Sequence, residues 1–176
     1  VLLWSQMHGD ESTATMAIAD ILRYIVTKKH EEPIAHIVRS LTLYFIPMLN
    51  PDGAARFQRR TAGGIDMNRD ARALITPEAR ILKRVQEELR PGFAFNLHDQ
   101  ELSTVGSSKT LSAIGLLAPA FDEKKSDNEV RVKAKHLAST FAETLMPFIN
   151  GQIARYDDTF EPRAFGDNMQ KWGTST

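Results

Sequence analysis

The chain has 176 residues, and its 22 lysines and arginines balance 22 aspartates and glutamates. That zero net charge argues against a dedicated nucleic-acid binder, which shows a basic excess or stripe, and no apolar run approaches the ~20 residues of a membrane span. With no cysteine in the sequence, disulfides, thiolate zinc sites and thiol catalysis are excluded.

The length suits one domain or part of a larger one. The chain opens at Val1 inside the apolar run Val1-Leu2-Leu3-Trp4 and closes on Trp172-Gly173-Thr174-Ser175-Thr176. The expectation is a single domain over 1–176, incomplete at both ends and cut from a longer polypeptide. Val1 to Met7 predicts a buried strand ending at the turn-prone His8-Gly9-Asp10. From Glu11 to about Lys28, Met16, Ile18, Ile21, Leu22, Ile25 and Val26 recur at helical spacing and predict one apolar face. Leu41 to Met48 reads as a strand covered on both faces, ending at Asn50-Pro51-Asp52-Gly53, a turn signal.

Ala54 to Arg72 reads as irregular, with arginines at 56, 59, 60, 69 and 72. Thr76-Pro77-Glu78 then starts a helix with a cap, a first-position proline and an early acid. Its apolar face is Ile81, Leu82, Val85 and Leu89, and Pro91-Gly92 stops it. Phe93 to Leu97 predicts a strand ending at His98-Asp99, Ile114 to Leu117 another, and Asn128 to about Met146 a third amphipathic helix. Strands alternating with helices indicate an α/β layered fold with a largely parallel sheet.

In such folds ligands gather beyond the carboxyl ends of the strands. His8 and Glu11 lie three residues apart where a strand turns into a helix, and His98 ends another strand. Two imidazoles and a carboxylate leave a fourth position for water, as in catalytic zinc sites. The same residues have plainer readings: Glu11 as a first-turn acid, His98 as a strand-end histidine. His30, His36 and His136 read as surface or helix-end residues.

Taken together, the clusters resemble the zinc carboxypeptidase family, peptidase family M14. His8-Gly9-Asp10-Glu11 is similar to its HxxE metal segment, Asn50-Pro51-Asp52-Gly53 to its NPDG segment, Arg59 with Gly64-Ile65-Asp66-Met67-Asn68-Arg69 to its R…GxDxNR segment, and Asn96-Leu97-His98-Asp99 to its third-ligand strand end. The resemblance implies a three-layer α/β/α fold with a mixed, largely parallel sheet, and one zinc ion held by His8, Glu11 and His98. It implies that Asp66 fixes the tautomer of a ligand imidazole. Asn68 and Arg69 would hold the substrate carboxylate, and Arg59, or the adjacent Arg60, would steady the oxyanion.

The implied reaction is removal of C-terminal residues from peptides by zinc-activated water. The alternatives are an aspartoacylase-like zinc amide hydrolase acting on small acyl-amino acids with a free carboxylate, and an inactive pseudo-peptidase that binds peptide C-termini. The family's general base is a glutamate on a late apolar strand. Glu161 has a loop-like context and Glu101 follows His98 too closely, so the base is expected past Thr176, and the chain alone is expected to be inactive or nearly so. Tyr156 lies near the family's mobile tyrosine, with an ordinary half-buried tyrosine as the plainer reading. Arg163, Gly166 and Asp167 fall in the specificity window. Such hydrolases are often exported, which favours that location.

Overall fold

The computed structural model describes residues 1–100 and 102–176. Glu101 lies outside them. The chain forms two compact units, Val1–Asp99 and Gln100–Thr176.

In the first unit, β1 (Leu2–Ser5) is the middle strand of a parallel sheet of order β2-β1-β3, with β2 (Tyr44–Ile46) and β3 (Ala94–Leu97) on either side. Leu2 pairs with both Tyr44 and Ala94, and Ser5 pairs with Leu97. Leu2 and Trp4 have no solvent exposure, and each such side chain contributes roughly 1.5–3 kcal/mol. The parallel register has one consequence for function: the segments after β1, β2 and β3 all leave from the same sheet edge.

The helices of this unit are α1 (Thr13–Lys28), α2 (Ile34–Ser40), α3 (Pro51–Arg56) and α4 (Pro77–Leu89). α4 starts as the sequence predicts: Thr76 accepts from the Ala79 amide, and Pro77 takes the first position. It ends on Arg90, whose left-handed backbone precedes Pro91-Gly92.

Three expectations are corrected. Asn50-Pro51-Asp52-Gly53 is not an isolated turn but the start of α3, with Asn50 as N-cap and Pro51 at its first position; caps and turns draw on the same residue types. In β2 Tyr44 is exposed and Phe45 and Ile46 are only half-buried, so it is not covered on both faces. The apolar face of α1 is narrower than its pattern. Ile18 is buried and Ile25 half-buried, whereas Met16, Ile21, Leu22 and Val26 are exposed. Of the apolar residues named, only Ile18 and Ile25, seven residues apart, pack inward.

The second unit pairs β4 (Ile114–Leu116) with β5 (Ile153–Arg155) in parallel and carries α5 (Glu129–Ile149) and α6 (Phe165–Lys171). α5 is capped by Asn128 and runs past Pro147 to Ile149. α2, β5 and α6 were not expected from the sequence. The reason is plainest in α6, where Asp167, Asn168 and Gln170 are buried together with Phe165 and Met169, so burial follows no apolar stripe that a helical period could mark. The chain is therefore a mixed α/β protein with parallel sheets. Among the described residues no helix is long and apolar enough to cross a membrane.

Candidate metal centre

All the residues of the cluster belong to Val1–Asp99. After β1 the backbone turns sharply at Gln6, whose φ is 52°. Its side chain holds the next loop in place: Nε2 donates to the Gly9 carbonyl at 2.9 Å, and Oε1 accepts from the Thr15 hydroxyl at 2.8 Å. The Glu11 amide donates to the His8 carbonyl at 3.1 Å, and that turn puts both side chains on one side. Gly9 is obligatory here. A Cβ on it would lie 2.0 Å from the Gly53 carbonyl carbon and 2.3 Å from the Ala54 nitrogen, so loop and helix backbones touch. Gly9→Ala is expected to lower stability by more than about 3 kcal/mol, beyond ordinary overpacking, read as a shift of the urea midpoint.

β3 delivers His98 beside this loop, and Asp99 anchors it. Asp99 Oδ2 accepts from the Thr13 hydroxyl at 2.9 Å and from the Thr13 amide at 3.4 Å, at the start of α1, where Ser12 makes no side-chain cap. The sequence places Asp99 in the strand-end segment of His98 but assigns it no role. The sequence reading missed Gln6, for which no local signal exists.

The result is a tight cluster. His8 Nδ1 lies 2.6 Å from Glu11 Oε1, and His98 Nδ1 lies 2.6 Å from Glu11 Oε2. The imidazole centroids are 4.9 Å apart. One ligand atom from each of His8, Glu11 and His98 lies within 4.8 Å of the others, so the three could hold a metal ion. Two imidazole nitrogens and one carboxylate are the donor set of a catalytic zinc site. Behind His8, Asp66 Oδ1 lies 3.2 Å from Nε2. That partner keeps the Nε2 proton and leaves Nδ1 to face Glu11.

A comparison with known families decides the reading: the chain matches the zinc carboxypeptidase (Peptidase M14) profile over residues 1–150. The chain belongs to this family. The family is zinc-dependent, and the structural neighbours of the chain include metallo-carboxypeptidases and an amidase. Carboxypeptidase SOL1 of Arabidopsis thaliana is 34% identical over 65 residues, covering 36% of this chain and 13% of its own length. The metallo-carboxypeptidase of Burkholderia cenocepacia superposes with a TM-score of 0.71 at 16% identity, over 99% of this chain and 46% of that one. The murein-tripeptide amidase of Escherichia coli O157 superposes with a TM-score of 0.52 at 16% identity, over 99% and 68%. The chain thus spans under half of the Burkholderia structure and a small part of the plant relative.

In this carboxypeptidase-family chain, Arg59 rather than Arg60 reaches the centre. Arg59 Nε and Nη2 each lie 3.0 Å from Asp66 Oδ2, and Nη1 lies 3.2 Å from His8 Nδ1 and 3.5 Å from Glu11 Oε1. Arg60 instead donates to the Gly64 carbonyl at 2.9 Å. Asn68 and Arg69 sit in the helical turn Met67–Arg69 directly after Asp66, whose Oδ1 accepts from the Asn68 amide at 2.9 Å. Arg69 Nη1 donates to the Asn68 carbonyl at 2.7 Å.

Charges reinforce this geometry. Burial works against charge on His8, but hydrogen bonds to Asp66 and Glu11 outweigh it and raise its pKa above 6.5. Burial likewise opposes the Glu11 carboxylate, yet hydrogen bonds from His8 and His98 bring it down to about 2. Asp66 is held well below the usual carboxylate range, the His8 hydrogen bond and the Arg59 charge overriding its burial.

In the second unit, Glu161 lies outside any strand, as expected, and accepts two hydrogen bonds from the Arg163 guanidinium, at 2.9 and 2.8 Å. Tyr156 is 47% exposed. A Cβ on Gly166 would lie 2.9 Å from Pro119 Cγ. Asp167 is 6% exposed and accepts from the Glu161 amide at 3.0 Å. Burial pushes its carboxyl up to about 6. The folded state then holds this proton more tightly than the unfolded state. Its contribution is present below about pH 4 and is lost as pH rises through about 6. Asp167→Asn is expected to remove that loss and raise stability at pH 7 by about 2 kcal/mol, measured as urea unfolding at pH 4.5 and 7.

Proposed function

We propose that the protein is a zinc metallocarboxypeptidase that removes C-terminal residues from peptides bearing a free carboxylate, with Val1–Asp99 and Gln100–Thr176 as parts of one carboxypeptidase-like domain. The observation that carries this reading is the convergence of His8, Glu11 and His98 within 4.8 Å, backed by Asp66 on the far nitrogen of His8.

In this reading His8 Nδ1, His98 and Glu11 hold the ion. Zinc, when bound, acidifies a water molecule and polarises the scissile carbonyl. Asp66 keeps the His8 ring oriented and holds the Arg59 guanidinium at its other oxygen. Arg59 offers N–H donors to the oxyanion as charge develops on it. Arg69 supplies a fork and Asn68 an amide for the terminal carboxylate. Their place directly after Asp66 supports this, since the hub that orients the ligand also anchors the turn that carries them.

The tests separate binding from chemistry. With zinc present, a peptide with a free C-terminus is expected to bind at least about tenfold more tightly than its amide, as loss of a charge-assisted pair implies. Arg69→Ala is expected to erase the difference. Equal affinity of the wild type for both peptides removes Arg69 from the role. Release of the last residue by the zinc-loaded product of the native reading frame, read past Thr176, is the decisive assay, since the 176-residue chain alone is expected to be inactive or nearly so. Release no greater than that of the His8→Ala variant overturns the hydrolase reading and leaves a peptide-binding pseudo-peptidase.

A further inference from the structure

The chemistry above gives no part to Asn50, which has no solvent exposure and whose backbone N–H and side chain make four polar links to three segments. Its backbone amide donates to the Gln6 carbonyl at 3.0 Å, and its Oδ1 accepts from the Gly53 amide at 3.0 Å. Its Nδ2 donates to the Met7 carbonyl at 3.3 Å and to the Arg59 carbonyl at 3.5 Å. The Gly9 amide donates to that same Arg59 carbonyl at 3.4 Å. Met7 and Gly9 flank His8, so one side-chain amide ties the backbone of a metal-ligand loop to the backbone of the arginine that reaches the centre. A Cβ on Gly53 would lie 2.5 Å from Asn50 Nδ2 and 2.8 Å from the Arg60 carbonyl. The amide therefore sits in a slot shaped on both sides by backbone.

We infer that Asn50 is a positioning residue whose Nδ2 sets His8 and Arg59 relative to each other. This rests on the reading of His8 as a zinc ligand. The simpler role for Asn50 is that of a helix N-cap. The two roles make opposite predictions for one substitution. Asn50→Asp keeps an oxygen for the Gly53 amide and adds a charge favoured at a helix N-terminus, so a capping role alone leaves it neutral or stabilising. For the positioning role it is the wrong change. A carboxylate oxygen replaces the donor and faces two carbonyl oxygens.

The experiment uses the 176-residue chain as wild type, Asn50→Asp, and Asp52→Asn as a control in the same turn. Zn2+ affinity and the Co2+ absorption spectrum are measured at a temperature where circular dichroism shows every variant folded. The His8 ring and Arg59 Nε resonances are followed by NMR in chelator. Asn50→Asp is expected to bind Zn2+ about 10–100-fold more weakly, as loss of a ligand's supporting partner does. It is also expected to change the Co2+ spectrum and to shift both resonances together, while Asp52→Asn matches the wild type. Wild-type affinity, an unchanged spectrum and unmoved resonances in Asn50→Asp overturn the proposal. If the wild type itself binds no zinc, the metal reading fails, and the resonances decide the coupling by themselves: moved together they support it, unmoved they overturn it.

Discussion

Glu11→Ala is expected to abolish the stabilisation of the chain by zinc. Glu11 is the one anionic ligand, and each of its oxygens faces one imidazole. Its removal leaves two imidazoles, only one of them buried, and no charge to match the ion. Binding to the folded state alone stabilises by about 4 kcal/mol at a thousandfold excess over Kd, which raises the Tm of a chain this size by roughly 10 °C. The wild type is expected to show a shift of that order between chelator and zinc, and Glu11→Ala close to none. The comparison is made within each variant because Glu11 also matters without metal. Its carboxylate, held down to about 2, contributes stability above about pH 4.5 that is lost as pH falls through about 2, up to about 3 kcal/mol. An equal zinc shift in wild type and variant removes Glu11 from the ligand set.

The same experiment has a pH arm. A proton on His8 Nδ1 competes with the metal, and the raised pKa of His8 keeps that proton to higher pH than an ordinary histidine would. Zinc affinity is therefore expected to fall as pH drops through that pKa, with a slope approaching one decade per pH unit for each proton released. His8 also affects stability without metal. Its raised pKa contributes stability that is complete below about pH 6.5 and is lost as pH rises through the folded-state value. In chelator the stability difference between wild type and His8→Ala is thus expected to narrow at alkaline pH.

What the sequence made legible was local chemistry. Thr76-Pro77-Glu78 marks the start of α4 because a cap, a first-turn proline and an early acid act within one turn. His8 and Glu11 were readable as a pair for the same reason. A single backbone hydrogen bond closes the turn between them and brings the two side chains together. His98 needed topology as well: a parallel β1–β3 pairing had to bring its strand end next to His8. The α3 start was misread because Gly53 is a poor residue inside a helix. It is kept there by a contact 44 residues away in sequence, the backbone of Gly9 resting against it. No local pattern could show that. The same holds for the choice between Arg59 and Arg60. Adjacent arginines look alike in sequence, and only the fold turns one toward Asp66 and the other toward Gly64.

Asp66→Asn is the sharper test of how this centre is organised. The carboxylate accepts from His8 and from the Asn68 amide at one oxygen, and twice from Arg59 at the other. Its partners are donors on both sides, so it needs two acceptor oxygens and a negative charge. Asparagine has the right shape but only one acceptor. Whichever way the amide turns, its NH2 faces a donor, either His8 Nε2 or the Arg59 guanidinium. The variant is expected to bind zinc about 10–100-fold more weakly and to lose about 1–2 kcal/mol of stability, as losing charge-assisted hydrogen bonds to a half-exposed arginine does. Asp66→Ala is expected to do no worse, because it removes the acceptor without adding a misplaced donor. If Asp66→Asn keeps wild-type zinc affinity, the His8 tautomer is set elsewhere and the hub assignment fails. If zinc affinity falls while the Arg59 Nε resonance stays in place, Asp66 supports the ligand alone and Arg59 is held by its other contacts.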